Sequence, residues 1–205
     1  MADEPPPLLV VVSGPSGVGK DALLSRIRER GAATPSGRGF IVPVTMTTRP
    51  PREGEADGVD YFFVTPQEFQ RQLEGGELLE HAEVYGRSYG VPRAQLREAL
   101  ASGRDAVMRV DVQGAATLRK MLPGAVFVFL EPDEFGHLER HLRERGTDPE
   151  TLRRRLDTAR AEFAARAHFD HVVVNVEGDL DGTVDRVLAI VEQERARPGR
   201  KPVVL

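Results

Sequence analysis

The stretch LLVVVSGPSGVGKDALLSRI, residues 8–27, passes from an apolar strand through a glycine-rich turn into a helix-periodic segment. Its turn, GPSGVGK, fits G-x-x-x-x-G-K from Gly14 to Lys20. Between a strand and a helix that spacing is a phosphate cradle. Successive backbone N–H groups and the helix N-terminus point at one anion, and the lysine adds a positive charge. Gly14, Gly17 and Gly19 let the backbone approach that anion closely, with Pro15, Ser16 and Val18 completing the loop. The pattern ordinarily continues with Ser or Thr, whose hydroxyl meets magnesium, but here the next residue is Asp21. Two readings of Asp21 stay open. Its carboxylate is a hard-oxygen ligand able to hold Mg2+ directly or through water. Alternatively it only steadies the first helical turn, and the metal is held by nucleotide and water.

Outward from this stretch, short β-branched runs alternate with helical patterns. LLVVVS (8–13), FIVPVTM (40–46), DAVMRVDV (105–112), AVFVFLE (125–131) and HVVVNV (171–176) are near-continuous apolar runs. Such runs suit strands covered on both faces of a parallel sheet. Helices are expected at about 20–31, 92–102, 113–122, 133–144, 149–167 and 179–197. The alternation predicts an α/β fold, a doubly wound parallel sheet with right-handed crossovers. Residues 47–91 break the rhythm and read as an insertion with a small core of Tyr61, Phe62, Phe63 and Phe69. RERGTDPETLRRR (143–155) is an irregular, mobile piece between two helices, and the chain is expected to fray after Arg197.

The bulk numbers exclude several classes. At 205 residues the chain can bury one good core with a small insertion. A net charge of −4 argues against broad attraction to nucleic acid or membrane. There is no cysteine, hence no disulfide framework, thiolate zinc site or thiol nucleophile. No apolar run approaches the roughly 18 residues of a membrane helix. The start, MADEPPP, is acidic and proline-rich, unlike a secretory signal, so a cytoplasmic protein is expected. The five histidines have no metal-ligand spacing.

The insertion carries its own chemistry. Arg49 and Arg52, with Tyr61 nine residues beyond, suit a phosphate monoester, because two guanidinium forks and a phenol match its oxygens. Glu80, Tyr85 and Tyr89 lie around EVYGRSYG, and Asp111 in RVDVQGA falls at the carboxyl end of a predicted strand, where doubly wound folds bind ligands. Carboxylates are poor phosphate ligands but accept hydrogen bonds from guanine N1–H and N2–H2, a donor pair that adenine lacks.

These motifs together, GPSGVGK, TTRPPREGEADGVDYFFV, EHAEVYGRSYG, VDVQGA and RERGTD…RRRL, resemble guanylate kinases, of the P-loop nucleoside monophosphate kinase family, over about residues 8–195. The resemblance implies a P-loop core (8–46 and 92–197, with a lid at about 143–155), a GMP-binding insertion (47–91), a disordered N-terminal tail (1–7) and a C-terminal tail (198–205). It implies Mg-dependent transfer from ATP to GMP or dGMP. ATP would be bound by Gly14, Pro15, Ser16, Gly17, Val18, Gly19, Lys20, Asp21, Arg145 and Asn175, with Asn175 on the adenine side. GMP would be bound by Thr45, Arg49, Arg52, Tyr61, Glu80, Tyr89 and Asp111. Lys20, Arg49, Arg145 and Arg155 would be catalytic, the last two as lid residues. The resemblance further implies a monomer or homodimer acting on small molecules rather than nucleic acid or membrane. Departures from the family pattern are Asp21 for Ser or Thr, Val91 for a hydroxyl residue, Arg109 where an acid is common, His141 for Arg, and a lid one residue shorter. The ending GKD also resembles ribose bisphosphate kinases, and a binding module that recognises phosphopeptides is the non-catalytic alternative.

Overall fold

The computed structural model describes residues 5–30, 40–84, 86–144 and 146–205. Strand β1 (Leu9–Ser13) is fully buried because every side chain is apolar or small. It lies between β7 (Asp105–Arg109) and β8 (Val126–Pro132), both parallel to it. β2 (Phe40–Ile41) and β9 (His171–Asn175) complete a five-stranded parallel sheet in the order β2-β7-β1-β8-β9. Alternate residues of β1 feed two cores. Leu8, Val10 and Val12 meet Leu23, Leu24 and Ile27 of α1 (Lys20–Arg30) and Val184, Val187 and Val191 of α7 (Leu180–Arg195). Leu9 and Val11 meet Leu96 and Ala99 of α3 (Arg93–Ala101) and Ala115 and Leu118 of α4 (Val112–Met121). This is the doubly wound α/β arrangement that the alternation predicts. At the edge, Val172 and Val174 of β9 reach solvent, so that strand is not covered on both faces as its apolar run suggests.

The expected single strand over 40–46 is two strands in different sheets. Pro43 has no N–H to give a ladder. The Gln95 side chain takes over there, accepting from the Val44 amide at 3.0 Å and donating to its carbonyl at 3.1 Å. β3 (Thr45–Thr47) then joins β4 (Tyr61–Phe63), β5 (Leu78–Val84) and β6 (Arg87–Pro92) in a four-stranded sheet ordered β4-β3-β6-β5. Helix α2 (Pro66–Glu74), capped by Thr65 and started by Pro66, covers one face through Phe69, against Met46, Leu78 and Phe62. Strand alternation turns Tyr61 to the opposite side, so the expected aromatic core forms around Phe62 and Phe69 while Tyr61 enters the cleft.

α5 (Phe135–Glu144) and α6 (Pro149–Phe163) pack through Leu142, Leu152 and Leu156. Asp148 caps α6 by accepting from the Thr151 amide at 3.0 Å. The irregular piece expected over 143–155 is therefore mostly helix. A 3-10 turn, Ala164–His168, ends α6. The C-terminal stretch does not fray away from the body. Val203 and Leu205 pack on the second core, and Arg200 donates to the carbonyls of Pro6 and Pro7. Among the described residues no helix is long and apolar enough to cross a membrane.

Candidate active site

The cradle forms where β1 ends. Gly14 has φ 142°, and a Cβ there would stand 2.1 Å from the Leu130 carbonyl oxygen, so the loop presses against β8. The Lys20 ammonium folds back over the loop, donating to the carbonyls of Gly14 at 2.5 Å and Pro15 at 3.0 Å. Burial pulls its pKa down, and the Glu162, Asp21 and Asp111 carboxylates oppose that shift. Asn175 stands apart from this cleft. Its amide nitrogen donates to the Val18 carbonyl at 2.9 Å, and its oxygen accepts from Thr183 at 2.9 Å. It braces the loop through Val18.

Facing the loop across the cleft are the arginines of the insertion. Arg49 makes a two-pronged ion pair with Glu55, at 2.7 and 2.9 Å, and Glu55 also accepts from the Arg52 amide at 2.7 Å. Burial of Arg49 is outweighed by Glu55, which holds the guanidinium firmly charged. The Tyr61 ring lies 4.9 Å from the Arg49 guanidinium and 4.7 Å from that of Arg109, with the Tyr89 ring edge-on at 6.2 Å. Burial pushes the Tyr61 phenol up, so it stays a donor. Arg52 and Tyr89 line the same space.

A buried acidic corner closes the insertion side. Glu80 on β5 is 7% exposed, and Thr45 on β3, with β6 between them, is as deeply buried. Burial, with Asp111 adding repulsion, pushes the Glu80 carboxyl up to about 7. Asp111 is the N-cap of α4, accepting from the Gly114 amide at 2.7 Å. Gly114 leaves room for Glu80, since a Cβ there would lie 2.5 Å from its Oε1. Val91, in place of a hydroxyl residue, is buried with the second core.

From α6, Arg155, Thr158 and Glu162 reach the cleft. Arg145 and Tyr85 lie outside the described residues. His141 does not enter the cleft: its Nδ1 is 3.1 Å from the Gly17 carbonyl and its Nε2 3.2 Å from Glu177, which Arg140 also pairs with at 3.0 Å. His141 thus ties α5 to the loop, while Arg140 ties it to Glu177.

Loop, arginine clamp, acidic corner and α6 thus enclose one cleft of about 320 Å³ at the carboxyl ends of β1 and β7. The family model for guanylate kinase matches residues 7–194. The chain belongs to the guanylate kinase family. A guanylate kinase of Frankia casuarinae is 46% identical over 184 residues, 89% of this chain and 96% of that protein. The chloroplastic/mitochondrial guanylate kinase 2 of Oryza sativa subsp. japonica is 45% identical over 99% of this chain and 70% of its own length. The crystal structure of guanylate kinase from Anaplasma phagocytophilum superposes with a TM-score of 0.76 at 31% identity, covering 98% of this chain and 92% of that one.

Within this guanylate kinase fold, Glu55 and Glu162 escaped the motif reading, and Arg109 stood out only as a departure from the family pattern. Glu55 holds Arg49 in the place an anion would take, and only its spacing of six from Arg49 hinted at it. Glu162 accepts from the Ser16 amide beside Lys20, and burial pushes its carboxyl up. Arg109 stands 2.5 Å by Nε from Asp21 Oδ1, an oxygen that also accepts from the Tyr61 hydroxyl at 3.5 Å. A magnesium ion at this position would compete with the Arg109 guanidinium for the same carboxylate oxygen, which is engaged here in an ion pair.

Proposed function

We infer that the protein transfers the γ-phosphoryl group of ATP, taken up as its magnesium complex, to GMP or dGMP, giving ADP and GDP or dGDP in purine nucleotide metabolism. The observation that carries this reading is the placement of a phosphate loop opposite an arginine–tyrosine clamp, with a buried carboxylate beyond the clamp. Such transfer demands alignment and charge neutralisation rather than a covalent nucleophile. The loop amides and Lys20 would take the donor phosphates. Arg49, released from Glu55, would pair with the acceptor phosphate alongside Arg52, Tyr61 and Tyr89. Glu80 as carboxylate, with Thr45 and Asp111, would read the guanine edge, and a buried acceptor left unmet would penalise adenine. Arg155 and Arg145 would close over the donor from the lid, excluding water and suppressing ATP hydrolysis.

The test is ADP release from ATP with GMP, dGMP, AMP, ribose 1,5-bisphosphate or no acceptor. GMP-dependent turnover that AMP and the sugar phosphate fail to support is the expected result; GMP binding without turnover would leave the binding-module alternative. The reading also carries a cytoplasmic location and a monomer or homodimer, checked by cell fractionation and sedimentation.

A further inference from the structure

We propose that Arg109 is an additional contact for the acceptor phosphate, held in place by Asp21, which acts as its positioning residue rather than as a metal ligand. The inference rests on the GMP-phosphorylating reading above. Arg109 ends β7 in register with Val12 of β1, so its backbone is fixed one strand away from the phosphate loop. Its side chain is 11% exposed and lines the cleft between Lys20 and Tyr61. Burial disfavours a charge there, yet Asp21 and Tyr61 more than compensate and keep the guanidinium charged. Lys20, across the same cleft, feels Arg109 as a like charge. Cations gathered at the junction of a donor loop and an acceptor clamp form an anion site.

The geometry also assigns roles to the two edges of the guanidinium. Asp21 engages the Nε edge at 2.5 Å. The guanidinium also meets the Tyr61 hydroxyl, so its rotamer is set and its remaining terminal N–H groups can turn to a second anion. The second anion is placed by Tyr61, whose ring both Arg109 and Arg49 approach within 5 Å. The Asp21–Arg109 pair joins two departures from the family pattern that look unrelated in sequence, an acid for a hydroxyl and a base for an acid.

Calorimetric titration with GMP, without ATP or magnesium, tests the pair on the wild type, Arg109→Met, Arg109→Lys, Asp21→Asn and Asp21→Asn/Arg109→Met. Loss of a charge-assisted contact in Arg109→Met should weaken GMP about tenfold or more. Arg109→Lys, which keeps the charge without the fork, should fall between. Asp21→Asn should weaken GMP about threefold alone, on the order of half the arginine's effect in free energy. In the Arg109→Met background it should tighten GMP, because the carboxylate then only repels the incoming phosphate. Melting curves confirm that each variant is folded. Unchanged GMP affinity in Arg109→Met, or tightening by Asp21→Asn in both backgrounds, overturns the proposal. So does a defect of Asp21→Asn that appears only in turnover assays and is relieved by excess magnesium. A wild type that fails to bind GMP at all overturns the kinase reading, and this inference with it.

Discussion

In the proposed guanine site, Glu80 is the residue whose protonation would tie pH to activity. In the free enzyme its carboxyl is pushed up to about 7, so near neutrality it is partly protonated. To accept from guanine N1–H and N2–H2 it must be the carboxylate. Binding GMP therefore lowers its pKa and, below pH 7, releases a proton. The sign follows: kcat/KM for GMP should fall about tenfold for each pH unit below 7, while kcat at saturating GMP changes less. Glu80→Gln should abolish that acid limb along with most GMP affinity. A kcat/KM profile from pH 5.5 to 8.5 checks both, and a flat profile in the wild type removes Glu80 from the guanine site.

At the scale of elements, the loop between β1 and α1 is constrained by its contact with β8 as much as by its own dihedrals. Gly14→Ala would place a methyl 2.1 Å from the Leu130 carbonyl at a φ of 142°. The loop must shift, so ATP binding should be lost and stability reduced by about 1–3 kcal/mol. Nucleotide titration and thermal melting read the two effects separately. This loop was legible in the sequence because its residues are contiguous and each spacing has one physical use. The six helices and the strands of the core were legible for the same reason, through apolar period and length. What escaped was pairing between distant positions. Asp21 meets Arg109 only because Val12 and Arg109 share a register across β1 and β7, and no local pattern encodes that register. Asn175 likewise presents a polar side chain at a strand end, and only the packing of β9 and α7 decides that it meets Val18 and Thr183. The run 40–46 misled because one apolar stretch serves two sheets, with Pro43 as the only mark of the break.

The whole molecule is fastened away from the cleft by a buried charge pair. Asp105 is fully buried, accepts from the Leu8 amide at 2.7 Å and pairs with Arg195 of α7, which also meets Glu192 at 2.6 Å. Asp105→Ala leaves the Leu8 amide without its acceptor and the buried Arg195 guanidinium with Glu192 alone. It should cost about 3–5 kcal/mol, a fall in Tm on the order of 10 °C. Asp105→Asn keeps an acceptor for Leu8 and should lose less, and melting of the two variants side by side checks the order. The last feature to weigh is Arg200, whose guanidinium holds Pro6 and Pro7 while Val203 and Leu205 lie on the second core. The first and last described segments are thus stitched together by one side chain, much as a ring is closed. A ring can be opened elsewhere without changing what it encloses. Joining the present ends through a short glycine–serine bridge and cutting at the exposed Gly103 turn, where nothing lies within 4 Å of an added Cβ, should yield a permuted chain with the same cleft and the same GMP affinity.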